Sequence, residues 1–307
     1  MQVSIAYMIV LLIWSTTPLA IVWSSETINP TMAVLLRMLI AVVLGGLIIV
    51  ARKIDFPWHP KAIRLYTFSA LGIFGGMSFS YLAAGYLSSG VLSLVFGLAP
   101  AFSAILARRI LAEPKISILR KLSMTLSFAG LGLVCANNLS LSSDSIYGFI
   151  FVLIAVFLFS LSSVLVKSVS LAIHPMATTV GALALSMPLF LINWLILDGS
   201  LDTSHWEPRS IWATLYLGIF GSLIGFVAYF FVLQRLTAST VALITLITPV
   251  IALSLGAVLN DEVIHSQLVF GALLVISGLA MYHWGEIFVV KYQQKKLVLR
   301  NNITDQD

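Results

Sequence analysis

The sequence predicts an all-α integral membrane protein, with ten transmembrane helices arranged as two inverted five-helix repeats. Hydrophobic residues make up 60% of the 307 positions and charged residues only 9%, against about a quarter charged in soluble domains. Apolar runs recur at the length of about 20 residues that a helix needs to cross hydrocarbon. The string Leu-Gly-Ile-Phe-Gly is written twice, at Leu71–Gly75 and Leu217–Gly221. Such self-similarity is the signature of a duplicated unit.

The spans follow in order. The first, at about 4–22, has Trp14 and Pro18 in its middle and no Ala-x-Ala cleavage site after it. It therefore reads as a retained helix and not as a secretory signal. The second, at about 31–51, follows Asn29-Pro30 and contains Arg37. The third (66–86) carries the first Leu-Gly-Ile-Phe-Gly and Tyr81, and the fourth (88–111) has Pro100 at its middle with Glu113 beyond it. The fifth (119–137) holds the single cysteine, Cys135. One cysteine excludes an intramolecular disulfide and a cysteine-based metal cluster, so Cys135 reads as a small apolar residue.

The second unit repeats the first. Its spans fall at about 145–166, 174–197, 210–233, 238–259 and 267–287. Phe159-Ser160 and His174-Pro175 answer Trp14-Ser15 and Asn29-Pro30 at an offset of 145 positions, and Pro249 with Glu262 answers Pro100 with Glu113. The units are 1–143 and 144–290, followed by a polar tail, 291–307. The longest loops, Arg52–Leu65 and Asp198–Arg209, are too short for a separate domain. Trp58 and Trp206 suit the interfacial aromatic belt.

Loop charge sets the orientation. With the amino terminus inside, the inner segments collect the basic residues, from Arg52 and Lys53 through Arg108 and Arg109 to Lys295 and Lys296. The outer loops hold Arg209 alone. The positive-inside rule then puts both termini in the cytoplasm of a cell (inner) membrane. The net charge of +5 is topology charge. A nucleic-acid partner would need a basic soluble domain, and the partners expected are the bilayer and a small-molecule substrate, met by a monomer. The tail is drawn to the inner leaflet by Lys291, Lys295 and Lys296. Five spans per unit is an odd number, so the second unit enters upside down, with Glu113 inside and Glu262 outside. Inverted halves can exchange conformations so that a central site faces each side in turn. Carriers need that symmetry, whereas enzymes and receptors have no general use for it.

Trp14-Ser15, Pro30 with Arg37, and Pro100 with Glu113 resemble the EamA-type transporters of the drug/metabolite transporter superfamily. Leu217-Gly218, Pro249, Glu262, Gln267, Gly271 and Gly278 repeat the resemblance in the second half, which covers about residues 4–287. It implies ten helices, cytoplasmic termini, a central cavity, and export of amino acids or other small metabolites. One departure is Trp14-Ser15, where the family often has Trp-Gly. The added hydroxyl gives the cavity its own shape there.

Several residues are candidates for a substrate site. Pro100 and Pro249 leave the carbonyls of Phe96 and Thr245 without helical donors, which mid-membrane structure tolerates only where protein or water satisfies them. The prolines, with Pro18, are expected to kink the bundle beside the site. Trp14, Ser15, Thr16 and Thr17 form a polar patch in the first span, answered by Phe159, Ser160, Ser162 and Ser163 in the sixth. Aromatic and hydroxyl groups at equivalent places suit a cavity wall; the alternative is helix-to-helix bonding. Tyr81 and Tyr229 are phenols that want a partner. Arg37 is the one full charge well inside a span. It either anchors a substrate carboxylate or phosphate, or snorkels to the outer surface and pairs with Glu26 or the outer acidic loops. Its depth favours snorkelling.

Glu113 and Glu262 sit at helix ends and are expected to cap neighbouring helix termini. The glycines Gly72, Gly75 and Gly76, with Gly218, Gly221 and Gly225, are expected to permit close helix packing. No Asp or Glu lies in the centre of a span, which removes the usual proton relay or cation trap, and His283 near the inner end of the tenth span makes a poor relay alone. No cofactor, metal or catalytic constellation is expected. A nucleotide-sugar or phosphorylated-solute exchanger would need more cavity cations than Arg37. A structural or assembly protein would leave the symmetry without a purpose.

Overall fold

The computed structural model describes residues 2–113, 117–141, 143–169, 171–236, 238–282 and 284–285, with backbone alone at 137–141, 238–243, 245 and 246. His283 and the tail from Lys291 lie outside the described residues. The helices are α1 (Val3–Ser24), α2 (Pro30–Arg52), α3 (Pro60–Ala84), α4 (Ser89–Phe96), α5 (Ala99–Ile110), α6 (Ile118–Leu141), α7 (Ser145–Ser168) and α8 (Pro175–Leu197). Then come α9 (Pro208–Tyr216), a π-helical segment (Leu217–Ile224), α10 (Gly225–Arg235), α11 (Ala238–Leu259) and α12 (Ser266–Tyr282). Eight segments are long and apolar enough to cross a bilayer, and Ile247–Leu259 and Ser266–Tyr282 are shorter apolar helices. No β-strand occurs among the described residues. The chain is an all-α membrane protein.

The repeated Asn29-Pro30 and His174-Pro175 are helix starts. Asn29 Oδ1 accepts from the Thr31 amide at 2.9 Å and His174 Nδ1 from the Met176 amide at 3.1 Å. In each pair the proline occupies the first helical turn, where its missing N–H would have had no partner anyway. The same device, His59 with Pro60, starts α3 six residues before the apolar run at 66. A cap outranks hydropathy in setting a boundary.

The two mid-span prolines act differently. The fourth predicted span is broken: α4 ends at Phe96, and Pro100 sits in the first turn of α5. Between them the Gly97 amide donates to Ser93 O and Leu94 O at 3.2 and 3.1 Å, and the Leu98 amide to Val95 O at 3.0 Å. Pro249 lies inside α11 without ending it. The two copies of Leu-Gly-Ile-Phe-Gly also differ. The first is α-helical within α3, and the second opens the π-helical segment, a widened turn often found at functional sites.

Glycines set the closest helix approaches, as their spacing suggests. A Cβ on Gly72 or Gly75 would fall 2.5 Å from Ser162 Oγ or Leu158 Cδ1 of α7. On Gly130 of α6 it would fall 2.6 Å from the Gly271 carbonyl of α12. Two apolar cores result, one around Met38, Leu183, Leu217 and Phe226, the other around Leu94, Val134, Val152 and Val275. Large apolar side chains such as Leu47, Val50, Ile196 and Val258 face outward, as a hydrocarbon solvent allows.

Gly181 packs directly on the Tyr66 ring, where a Cβ would lie 2.6 Å from Cγ. That ring is held by stacking on Phe56 and by the Tyr66 phenol donating to Pro57 O at 3.0 Å. Gly181→Ala should therefore destabilise by about 1–3 kcal/mol. Gly46→Ala, with nothing within 4 Å of its Cβ, should raise stability through helix propensity by up to about 1 kcal/mol. Thermal melting of the two purified variants checks the contrast.

Candidate functional site

A cavity of about 90 Å³ opens between the helices. A single water needs about 10–15 Å³ by the same measure, so the space suits several waters or a small solute. α1 contributes Trp14, Thr17, Pro18 and Ile21, and α4 contributes Leu92, Ser93 and Phe96. In each set the spacing of three to four puts the residues on one stripe of the helix. Met77 and Ser80 of α3, Phe159 of α7, Gly221 of the π-helical segment, Phe226 of α10 and Thr248 of α11 complete most of the wall. Members of both apolar cores meet there.

Aromatic rings form the floor. Trp14 and Phe159, equivalent positions of the two units, meet edge to face with centroids 5.7 Å apart. Tyr229 lies 5.0 Å from Trp14 and 5.6 Å from Phe159, and Phe96 lies 6.3 Å from Phe159. Such pairs add about 0.5–1.5 kcal/mol each beyond area burial, so the floor is rigid. The Tyr229 phenol and the Ser163 hydroxyl hydrogen-bond at 2.9 Å. They line a smaller cavity beyond Phe159, with Ser162 and Gly72.

Arg37 departs from the snorkelling expected of it. Its side chain is wholly buried and borders the cavity. Glu26, its expected partner, pairs with Arg209 at 3.6 Å instead. The Arg37 Nε donates to the Ser222 hydroxyl at 2.8 Å, and the guanidinium carbon lies 5.8 Å from the Tyr81 ring centroid. The physical reason is Gly221. A Cβ there would lie 3.0 Å from Arg37 Nη2, so the bare backbone of the π-helical segment leaves a groove for the guanidinium. Among the described residues, neither Nη1 nor Nη2 has a hydrogen-bond partner. No Asp or Glu among the described residues borders the cavity.

The other candidates divide. Trp14, Thr17, Pro18, Phe96 and Phe159 border the main cavity, and Ser163 and Tyr229 the smaller one. Ser15 is buried and donates to Leu11 O of its own helix at 2.7 Å. Ser160 donates to Ala99 O at 3.2 Å, against the break between α4 and α5. Both turn away from the cavity. Tyr81 is buried beneath Arg37 with its phenol 3.4 Å from Ser24 Oγ. The Thr245 side chain lies outside the described residues. Ser80, Ser93, Met77, Thr248 and Phe226 went unread in the sequence. Ser93 could have been found, since it stands one turn before Phe96 on the stripe that leads to Pro100.

Glu262 caps a neighbouring helix terminus. Its carboxylate accepts from the Ser89 and Gly90 amides, at 3.0 and 3.3 Å, at the start of α4. The Asn260 side-chain amide donates to the same carboxylate at 3.3 Å. Asn260 Oδ1 in turn accepts from Trp23 Nε1 and Arg209 Nη2, both at 2.8 Å. This polar cluster ties α1, α4, α9 and the end of α11 together at one mouth of the bundle. Glu113 is exposed.

Membrane-crossing helices thus enclose a cavity, the architecture of which a membrane transporter is built. The profile of the EamA-like transporter family matches residues 2–136 and again 146–284, and the chain belongs to that family. It is 29% identical over 271 residues to an uncharacterized transporter of Archaeoglobus fulgidus (87% of this chain, 93% of that one). It is 28% identical over 285 residues to the protein PagO of Salmonella typhimurium (89% and 91%). It is also 24% identical over 220 residues to a protein of Escherichia coli described as a probable amino-acid metabolite efflux pump (69% and 73%). A solved crystal structure at 16% identity superposes with a TM-score of 0.64, covering 91% of this chain and 96% of the other, which shows a shared fold.

Glu262→Ala should loosen the Glu262 end of the bundle, since it removes two bonds at an α4 terminus worth about 0.5–2 kcal/mol. In a Cys135→Ala background, a cysteine placed at Ser93 should react several-fold faster with a membrane-impermeant thiol reagent once Glu262 is removed. An unchanged rate would mean the cluster does not close that mouth.

Proposed function

We propose that the protein is an inner-membrane secondary transporter that exports an amino acid or a related small metabolite by alternating access about the central cavity. In this reading ten helices form two inverted five-helix repeats, 1–143 and 144–290, with both termini cytoplasmic and one chain as the working unit. The observation that carries it is the meeting of Trp14 and Phe159 across one cavity. A meeting of repeat-equivalent residues is what two related halves facing each other would give, and carriers of this construction bind substrate at that interface. The likeness to a metabolite efflux pump in Escherichia coli supports the substrate class. The basic loops at the Arg52 and Arg235 end support its cytoplasmic placement. A nucleotide-sugar exchanger fits less well, because Arg37 is the only cation bordering the cavity among the described residues.

The purified protein in liposomes should exchange or release labelled amino acids or related metabolites from a broad panel; no flux of any solute would sink the reading. Trp14→Ala and Phe159→Ala should each cut that flux at least tenfold. Ser15→Ala, whose hydroxyl is bonded to its own helix, should transport at close to the wild-type rate.

A further inference from the structure

We infer that the cavity is built for a monocarboxylate with an uncharged apolar or aromatic body, and that Arg37 binds its carboxylate. The inference rests on the transporter reading above and selects, from amino acids and related small metabolites, the organic acids that lack the ammonium group.

Charge balance carries it. Arg37 is fully buried, presents a guanidinium cation, and borders a cavity that no Asp or Glu among the described residues borders. A lone buried cation in a membrane interior is costly unless something compensates it. The Nε is fixed on Ser222 at 2.8 Å, while Nη1 and Nη2 are buried and without hydrogen-bond partners among the described residues. A guanidinium held at Nε with both terminal nitrogens free matches the two oxygens of one carboxylate. The loaded site is then neutral. A zwitterion would leave it with one net positive charge, with its ammonium held in the same cavity as Arg37. A cation would leave two positive charges, and a phosphate dianion one negative.

The remaining wall fits the other end of such a ligand. Trp14, Phe96, Phe159 and Phe226 present rings, and Leu92 and Met77 present apolar surface. Against this wall an uncharged apolar body is stabilised by burial.

The test compares four ligands that share one ring: phenylacetate, phenylalanine, phenethylamine and phenyl phosphate. Binding of each to the full-length protein in nanodiscs is measured by equilibrium dialysis. Phenylacetate should bind at least tenfold more tightly than the other three. Arg37→Gln should reduce that preference to about one, and Arg37→Lys should restore part of it. The ligand series on the unaltered protein decides the matter even where a variant fails to fold. Equal or tighter binding of phenylalanine, tighter binding of phenyl phosphate, or no binding of phenylacetate overturns the inference. So does a full preference retained by folded Arg37→Gln. The transporter reading fails separately, through absence of flux for every solute in liposomes, and it survives if neutral or zwitterionic solutes move.

Discussion

A bilayer offers no hydrogen bonds, and the rest of the structure follows from that constraint. Every backbone amide and carbonyl within the hydrocarbon has to find its partner inside the protein, which is why helix fills nearly all of the described chain. Side-chain hydroxyls obey the same rule by turning back on their own helices. Ser15 bonds Leu11 O, Thr17 bonds Ile13 O, Ser69 bonds Leu65 O and Ser186 bonds Ala182 O. Where helix fails, at the turn from Phe96 to Ala99, the Ser160 hydroxyl of a different helix reaches the Ala99 carbonyl. The irregular backbone stands where the cavity and a hydroxyl can serve it. Among the described residues the buried Ser78 and Thr178 hydroxyls and the Trp194 indole have no hydrogen-bond partner, and neither do Nη1 and Nη2 of Arg37. Arg37 alone of these adds a full charge and borders the cavity, and its two free nitrogens are therefore the most informative polar atoms there.

The two units are related in sequence but are not interchangeable in detail. Counting by the 145-residue offset that pairs Pro30 with Pro175, Arg37 corresponds to Ala182, which is buried and small. Counting from the paired Leu-Gly-Ile-Phe-Gly strings, Ser222 corresponds to Gly76. Both partners of the Arg37–Ser222 bond thus lack a counterpart. The π-helical turn that offers Ser222 and the bare Gly221 also occurs in one copy of the string only. The sequence repeat places Trp14 and Phe159 at the cavity, and a departure from it places the charge.

Much of the fold was legible in the sequence because hydropathy, proline and glycine report on the backbone directly. Helix lies where the apolar runs predicted spans, Asn29-Pro30 and His174-Pro175 are helix starts, and the glycine clusters are the tight contacts. The site was legible only in part. Aromatic positions such as Trp14 and Phe159 were found because bulky rings at equivalent places have few uses. Hydroxyl positions were found unevenly, Thr17 and Ser163 but not Ser80, Ser93 or Thr248, because serines such as Ser15 and Ser93 look alike in sequence and differ only in which way they face. The α3 start was displaced by a cap, and Arg37 was misjudged because depth along a helix says nothing about rotation around it. Gly221, the last residue of the repeated Leu-Gly-Ile-Phe-Gly string, leaves the groove that takes the guanidinium.

The fixed charge of Arg37 has an electrical consequence. The guanidinium stays with the protein through a transport cycle, so a monoanion released from it carries its own charge across the field. In the proposed orientation, with the Arg52 end in a negative cytoplasm, that movement is downhill for export. A potential of 100 mV contributes about 2.3 kcal/mol per charge, equivalent to a concentration ratio of roughly 40–50. A carrier that neutralises its cargo only while the cargo is bound would let the resting voltage of the cell drive the export of organic acids, with no coupling ion required.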